Sequence, residues 1–135
     1  MSLSVSILTP ERVVYESAAE FVVFPAMTGE MGILQNHVPV LAQLGLGEVR
    51  VQNQGKTEIF AVLDGFAEVR NNKISIFAET AEMAEEIDAE RARQAADRAR
   101  QTLRAAGPER DLEQAEAALK RALVRLRVAQ TVGRR

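Results

Sequence analysis

The hexapeptide Ile87-Asp88-Ala89-Glu90-Arg91-Ala92 opens the part of the chain in which arginine is spaced most regularly. With Ala89 and Ala92 at heptad positions a and d, Arg91 and Arg98 both fall at c and Asp88 at g. With Leu112 and Ala115 at a and d, Arg121 falls at c and Arg125 at g. In an antiparallel pair of helices turning about Gly107-Pro108, Arg91 comes level with Arg125 and within a turn of Arg121. Guanidinium groups converging on one edge suit the forked recognition of phosphate. The same residues also fit a solvated helix face, with the arginines paired to neighbours such as Glu90 or Asp97. Spacing alone leaves both readings open.

No other group of residues composes a catalytic set. The sequence holds no phosphate loop of the G-x-x-x-x-G-K type and no cysteine, so thiol nucleophiles, zinc-thiolate sites and disulfides are excluded. The single histidine, His37, has no thiol to activate and reads as a hydrogen-bonded turn residue. Glu85-Glu86 reads as a solvated junction rather than a general acid and base. No catalytic residue and no metal ligand is expected.

The elements that must position the arginines follow from a change of period. Up to about Ala84 the apolar residues alternate, as in strands; from Asp88 to about Val132 they recur every three or four, as in helices. Leu3, Val5 and Ile7 alternate with serines. Arg12-Val13-Val14-Tyr15 and Phe21-Val22-Val23-Phe24 are short β-rich runs, the second closed by Pro25. Val49 and Val51 alternate with polar residues. After the turn Asn53-Gln54-Gly55-Lys56, the run 58–63 is apolar on both faces. Asp64-Gly65 reads as a tight turn, followed by strands at 66–70 and 73–77 around Asn71-Asn72. Close-spaced short strands with turn residues between them predict a β-sandwich or barrel. Residues 29–39 fit neither period.

The helical half is regular. Ala89, Ala92, Ala96, Ala99, Leu103 and Ala106 form one seam, and Leu112, Ala115, Leu119, Ala122, Leu126 and Ala129 the other. Asp88 is the expected N-cap. Gly107-Pro108 supplies a C′ glycine and a residue that cannot continue the helix. The first seam is nearly all alanine, which favours the helix but buries little area. At ~0.8 kcal/mol per buried CH₂, alanine in place of leucine forfeits a few kcal/mol per residue. The expected hairpin is therefore a stable helix with a weak partner, able to detach.

The 135 residues are 47% hydrophobic and 27% charged, a globular composition. The net charge of −2 is unevenly spread. Residues 1–84 carry 5 Lys/Arg against 10 Asp/Glu, and residues 85–135 carry 12 against 9, giving −5 and +3. A cationic C-terminal element suits an acidic partner. No apolar run approaches the roughly 20 residues that span a bilayer, no signal peptide is expected at Met1-Ser2-Leu3-Ser4-Val5, and the expected compartment is cytoplasmic.

On these residues the whole chain resembles the epsilon subunit of bacterial and chloroplast F-type ATP synthases, the counterpart of the mitochondrial delta subunit. The markers are Gly29-Glu30-Met31-Gly32-Ile33 followed by His37-Val38-Pro39, then Asp64-Gly65-Phe66-Ala67-Glu68-Val69, then the hexapeptide at 87–92. A tail of Ala118-Leu119-Lys120-Arg121-Ala122 and Arg125-Leu126-Arg127-Val128-Ala129 completes them. Asp64 stands where the family commonly has glycine, and Met31 where leucine is usual.

The resemblance implies an α+β chain: a ten-stranded β-sandwich over residues 1–84, followed by an antiparallel two-helix hairpin over residues 85–135. It implies a non-catalytic subunit of the central rotor that couples proton flow to ATP synthesis. The sandwich would bind the gamma subunit and the c-ring, with Glu30, Gly32, Ile33 and His37 in the ring-facing region. The hairpin would permit activity when folded down. Extended along gamma, it would meet the beta and alpha subunits and inhibit ATP hydrolysis. In members that bind ATP the motif reads Ile/Leu-Asp-x-x-Arg-Ala, matched by Ile87, Asp88, Arg91 and Ala92, with Glu82, Arg98, Arg121 and Arg125 as supporting positions. ATP would then be a regulatory ligand, with no cofactor required. The subunit would reach the membrane only through the complex, on the cytoplasmic face of the plasma membrane or at the thylakoid.

Three other readings compete. One is the same rotor subunit without ATP sensing. Another is a nucleic-acid-binding adaptor with a basic helical arm, disfavoured by the overall acidity and by a single tyrosine with no tryptophan. The third, a small β-sandwich enzyme with a helical dimerisation tail, lacks a convergent catalytic set.

Overall fold

The computed structural model describes residues 3–105 and 107–134. Its first part is eight strands: β1 (Leu3–Leu8), β2 (Val13–Ala19), β3 (Phe21–Ala26), β4 (Gly29–Ile33), β5 (Val40–Gln43), β6 (Gly47–Asn53), β7 (Lys56–Arg70) and β8 (Lys73–Met83). They are hydrogen-bonded in the order β2-β1-β8-β7-β6-β3-β4, with β5 added to β7. β1 runs parallel to β8, and the other pairs are antiparallel. The alternation in the sequence is the alternation in space: Leu3, Val5 and Ile7 are buried while Ser4 is exposed.

The sheet folds over on itself because β7 and β8 each serve two layers. β7 pairs with β6 along Lys56–Val62 and with β5 along Phe66–Val69. β8 holds β1 along Lys73–Phe77 and continues beside the first half of β7. Counted by layer, eight strands supply ten strand segments, close to the expected sandwich. Closure is visible where Tyr15 of β2 meets Phe60 of β7 with ring centroids 4.9 Å apart, although β1 and β8 separate those strands in the ladder. Residues from β1, β2, β3, β4, β6, β7 and β8 share one core.

The bend between the layers corrects one expectation. Asp64-Gly65 is not a chain-reversing turn; β7 passes straight through it. Asp64 sits at φ 51° and Gly65 at φ 122°, so the strand kinks without leaving its ladder to β8. Aspartate tolerates the left-handed region, so Asp64 holds this conformation without glycine. True reversals occur at Gln54-Gly55 and at Asn71-Asn72, all four with positive φ, as primed hairpin turns require.

Two more expectations change. Pro25 does not close β3, which continues to Ala26. At Pro25 β3 pairs with β4, the β6 ladder having ended at Val23, so a missing N–H is tolerated there. Within the segment that fitted neither period, residues 29–33 form the sheet-edge strand β4. Its short length and its glycines hid the alternation.

A 3-10 turn (Ala84–Glu86) leads from β8 to α1 (Ala89–Arg104) and α2 (Glu109–Gln130), with a second short 3-10 turn at Thr131–Arg134. Asp88 caps α1 as expected, Oδ1 accepting the Arg91 N–H at 3.0 Å. Pro108 is the N-cap of α2. Ala92, Ala96 and Ala99 of α1 are buried, as are Ala115 and Ala122 of α2. The helices pack as an antiparallel hairpin along this small-residue seam. The C-cap of α1 is Ala105, so Gly107 falls one residue beyond the C′ position expected of it; the seam position given to Ala106 lies outside the described residues.

The seam pattern missed the second face of α2. Val124 and Val128 are buried against Ile59 and Ala61 of β7 and Ala84, with Leu46 and Ile87 alongside. α2 thus docks the hairpin on the sandwich, while α1 packs chiefly on α2. Two valines four apart and off the heptad seam were the available signal. Among the described residues no helix is long and apolar enough to cross a membrane.

Candidate functional site

The junction of β8, α1 and α2 encloses a cleft of about 440 Å³ lined by Glu82, Ile87, Asp88, Arg91, Ala92, Ala95, Arg98, Ala118, Arg121, Ala122 and Arg125. The size falls within the range of small-molecule pockets. All eight residues assigned to a nucleotide site in the sequence line it. Three elements deliver them. The end of β8 supplies Glu82, α1 supplies Arg91, Ala92 and Arg98, and α2 supplies Arg121 and Arg125. Ile87 and Asp88 lie in the link that opens α1. Ala95 and Ala118, which sequence reasoning did not single out, complete an apolar wall with Ile87, Ala92 and Ala122. Their signal was the small-residue periodicity next to the arginines.

The charge balance of the cleft is uneven. Four arginines face two carboxylates, a formal net of +2. Both carboxylates are already engaged. Asp88 accepts from the backbone N–H of Arg91, and Glu82 accepts from Arg125 Nε at 2.6 Å. That last pair joins the sandwich to α2 and is partly shielded from solvent, its side chains 35% and 30% exposed. Among the described residues the guanidinium groups of Arg91, Arg98 and Arg121 make no ion pair. Glu90 and Asp97 instead pair with Arg93 and Arg100. Arg91, Arg98 and Arg121 are exposed, as on a solvated face, but the carboxylates expected to pair with them are taken by Arg93 and Arg100, so their donors stay open to an anion. Guanidinium groups with open donors beside small apolar side chains suit an anionic ligand that also carries apolar surface.

The four residues assigned to ring contact are not gathered in the same way. Glu30 and Gly32 are exposed positions of β4, with Glu30 bonded to Arg50 Nη1 at 3.0 Å. Burial pulls the Arg50 pKa down, but hydrogen bonds with Glu48 and Glu30 outweigh it and leave the guanidinium raised. Ile33 corrects the assignment: it points to the other side of β4 and is 0% exposed, so its side chain serves the core. His37 is half-buried in the loop after β4, its Nδ1–H donating to the Val38 carbonyl at 2.7 Å. Apolar exposure in that loop belongs to Leu34 and Val38, at 61% and 70%.

Among the described residues no group of histidine, cysteine or carboxylate side chains is placed to hold a metal ion. No buried side-chain nitrogen or oxygen lacks a hydrogen-bond partner among them either.

Fold and cleft together define a class: a β-sandwich carrying a docked helical hairpin, with an arginine-lined cleft where the two meet. Comparison with known proteins narrows it. The family pattern "ATP synthase, Delta/Epsilon chain, beta-sandwich domain" matches residues 2–84, and "ATP synthase, Delta/Epsilon chain, long alpha-helix domain" matches residues 85–130. Among curated relatives, the ATP synthase epsilon chain of Shouchella clausii is 46% identical over 132 residues, covering 98% of each chain. That of Desulforamulus reducens is 46% identical over 92% of this chain and 94% of its own. Among solved structures, a chain of the Euglena gracilis mitochondrial ATP synthase assembly of OSCP, F1 and c-ring shares the fold. It superposes with a TM-score of 0.82 at 23% identity, over 99% of this chain and 82% of that one. The chain belongs to the ATP synthase delta/epsilon family, as an epsilon chain of F-type ATP synthase.

Proposed function

We propose that this epsilon chain is a rotor subunit of the central stalk that couples proton flow to ATP synthesis and senses ATP through the cleft between its two parts. The observation that carries the sensing is the composition of the cleft: β8, α1 and α2 each contribute side chains to one cavity. A nucleotide there contacts the compact arrangement and loses its site when the helices leave. A ligand shifts a two-state balance only through such differential affinity. The alanine seam of α1 keeps the hairpin weak enough to be shifted.

In this reading the sandwich binds the gamma subunit and rests on the c-ring, reaching the cytoplasmic face of the membrane only through the complex. The Euglena assembly, which holds its similar chain together with F1 and c-ring, supports the c-ring as a partner. The hairpin, when extended, meets the beta and alpha subunits and inhibits hydrolysis. Its arginines, which outnumber its carboxylates, favour an acidic contact there.

Calorimetric titration of ATP into the full chain tests the sensing. Saturable binding is expected, weakened about tenfold or more by Arg91→Ala, since removing a charged phosphate donor costs about 1.5–3 kcal/mol. No saturable heat up to millimolar ATP would sink the proposal. Truncation before Ile87 tests the inhibition, and an assembled complex whose hydrolysis rate stays the same would rule the inhibitory role out.

A further inference from the structure

The loop between β4 and β5 is held by a pair of asparagines that no helical or strand period accounts for. The Asn36 N–H donates to Asn72 Oδ1 at 2.6 Å, and Asn72 Nδ2 donates back to Asn36 Oδ1 at 3.3 Å, across 36 residues of sequence. Both residues lie in the left-handed region, at φ 65° and 61°, a conformation open to asparagine at little cost. Asn72 is anchored in turn. It sits in the tight turn between β7 and β8, and its carbonyl accepts from Ser4 N of β1 at 2.9 Å. The loop is thus tied by a reciprocal pair to the end of the sandwich where β1, β7 and β8 meet.

The same loop presents Leu34 and Val38 outward, 61% and 70% exposed. Both flank the clamped Asn36, and the His37 ring is turned back onto the Val38 carbonyl. Exposed apolar side chains on a free loop would collapse or sample many shapes. A loop ordered before its partner arrives loses less conformational freedom on docking. We propose that Asn36 and Asn72 are a positioning pair that sets the shape of the 34–38 loop for docking on the c-ring. This rests on the ring contact proposed above and goes beyond it by naming residues that touch no partner yet set the affinity.

The experiment is titration of the full chain onto ATP synthase from which this subunit has been removed, with amide exchange followed on the free chain. Asn72→Gly keeps the positive φ and deletes the side chain; affinity is expected to fall about tenfold and the Asn36 amide to exchange faster. Asn72→Asp keeps the oxygen that accepts from Asn36 and is expected to restore most of both. Leu34→Asp and Val38→Asp probe the docking itself. If these two bind like the unaltered chain, the ring contact of the loop fails and the clamp with it. If they bind weakly while Asn72→Gly binds normally, the docking reading stands and the clamp is overturned. Faster exchange throughout the sandwich in Asn72→Gly, with no rescue by aspartate, would mean a general structural role and would likewise overturn it.

Discussion

Replacing Gly65 with alanine is expected to abolish the folded β-sandwich. At φ 122° the backbone lies where side-chain-bearing residues are strained by about 1–3 kcal/mol. Lack of space costs more than this strain. A Cβ on Gly65 would stand 1.9 Å from the Phe77 carbonyl oxygen and 3.0 Å from the Ala78 Cα, both backbone atoms of the partner strand, which cannot rotate away. The strands must separate at the point where both pass from one layer to the other. β7 and β8 are the central pair of the ladder, so the loss spreads to β1, β5 and β6. Such a change costs more than about 4 kcal/mol, against a total of about 5–15 kcal/mol for a whole domain. Gly29→Ala is the control. Its φ is 132°, but nothing lies within 4 Å of the added Cβ, so only the backbone strain applies. Urea unfolding should find Gly29→Ala folded with a lowered midpoint and Gly65→Ala without a cooperative transition. A cooperative Gly65→Ala as stable as Gly29→Ala would show that the bend is not what holds the layers.

Val128→Asp is expected to release the hairpin without unfolding the sandwich, and to weaken the proposed ATP binding without altering any cleft residue. Val128 is 0% and Val124 7% exposed, packed on Ile59, Ala61 and Ala84. Burying two valines contributes about 1.5–3 kcal/mol each at most. A carboxylate placed there without a partner costs several kcal/mol, so undocking α2 is the cheaper outcome. α1 packs chiefly on α2 and leaves with it, separating Arg91, Arg98, Arg121 and Arg125 from Glu82. Limited proteolysis should cut between the two parts far faster than in the unaltered chain, with the sandwich intact. ATP affinity should drop by about tenfold or more. A proteolysis pattern unchanged by Val128→Asp would show that the hairpin is held by something other than this contact.

The arginine cleft was largely legible in the sequence because it is built on helices, whose period fixes which side chains share an edge once the turn is located. Arg91, Arg98, Arg121 and Arg125 needed only the heptad and Gly107-Pro108. Glu82 was different. It lies on β8, and its bond to Arg125 spans 43 residues, so its place came from family resemblance rather than from any pattern. Ile33 was misjudged for a related reason. An edge strand of five residues interrupted by glycines shows too little alternation to say which residues face the core.

By itself the sequence determined what depends on near neighbours. The strands other than β4 and β5, the two helices and their alanine seam, the cap at Asp88 and the asparagine and glycine turns all show in residues a few positions apart. Tertiary structure decided what depends on distant partners. It turned Asp64-Gly65 from a reversal into a bend, because β8 lies against it. It made Val124 and Val128 a docking face, because β7 offers Ile59 and Ala61. It paired Asn36 with Asn72 and Glu82 with Arg125. A hydrophobic period reports that a face is buried but carries no information on what buries it. In this chain the partner is what joins the sandwich to the hairpin.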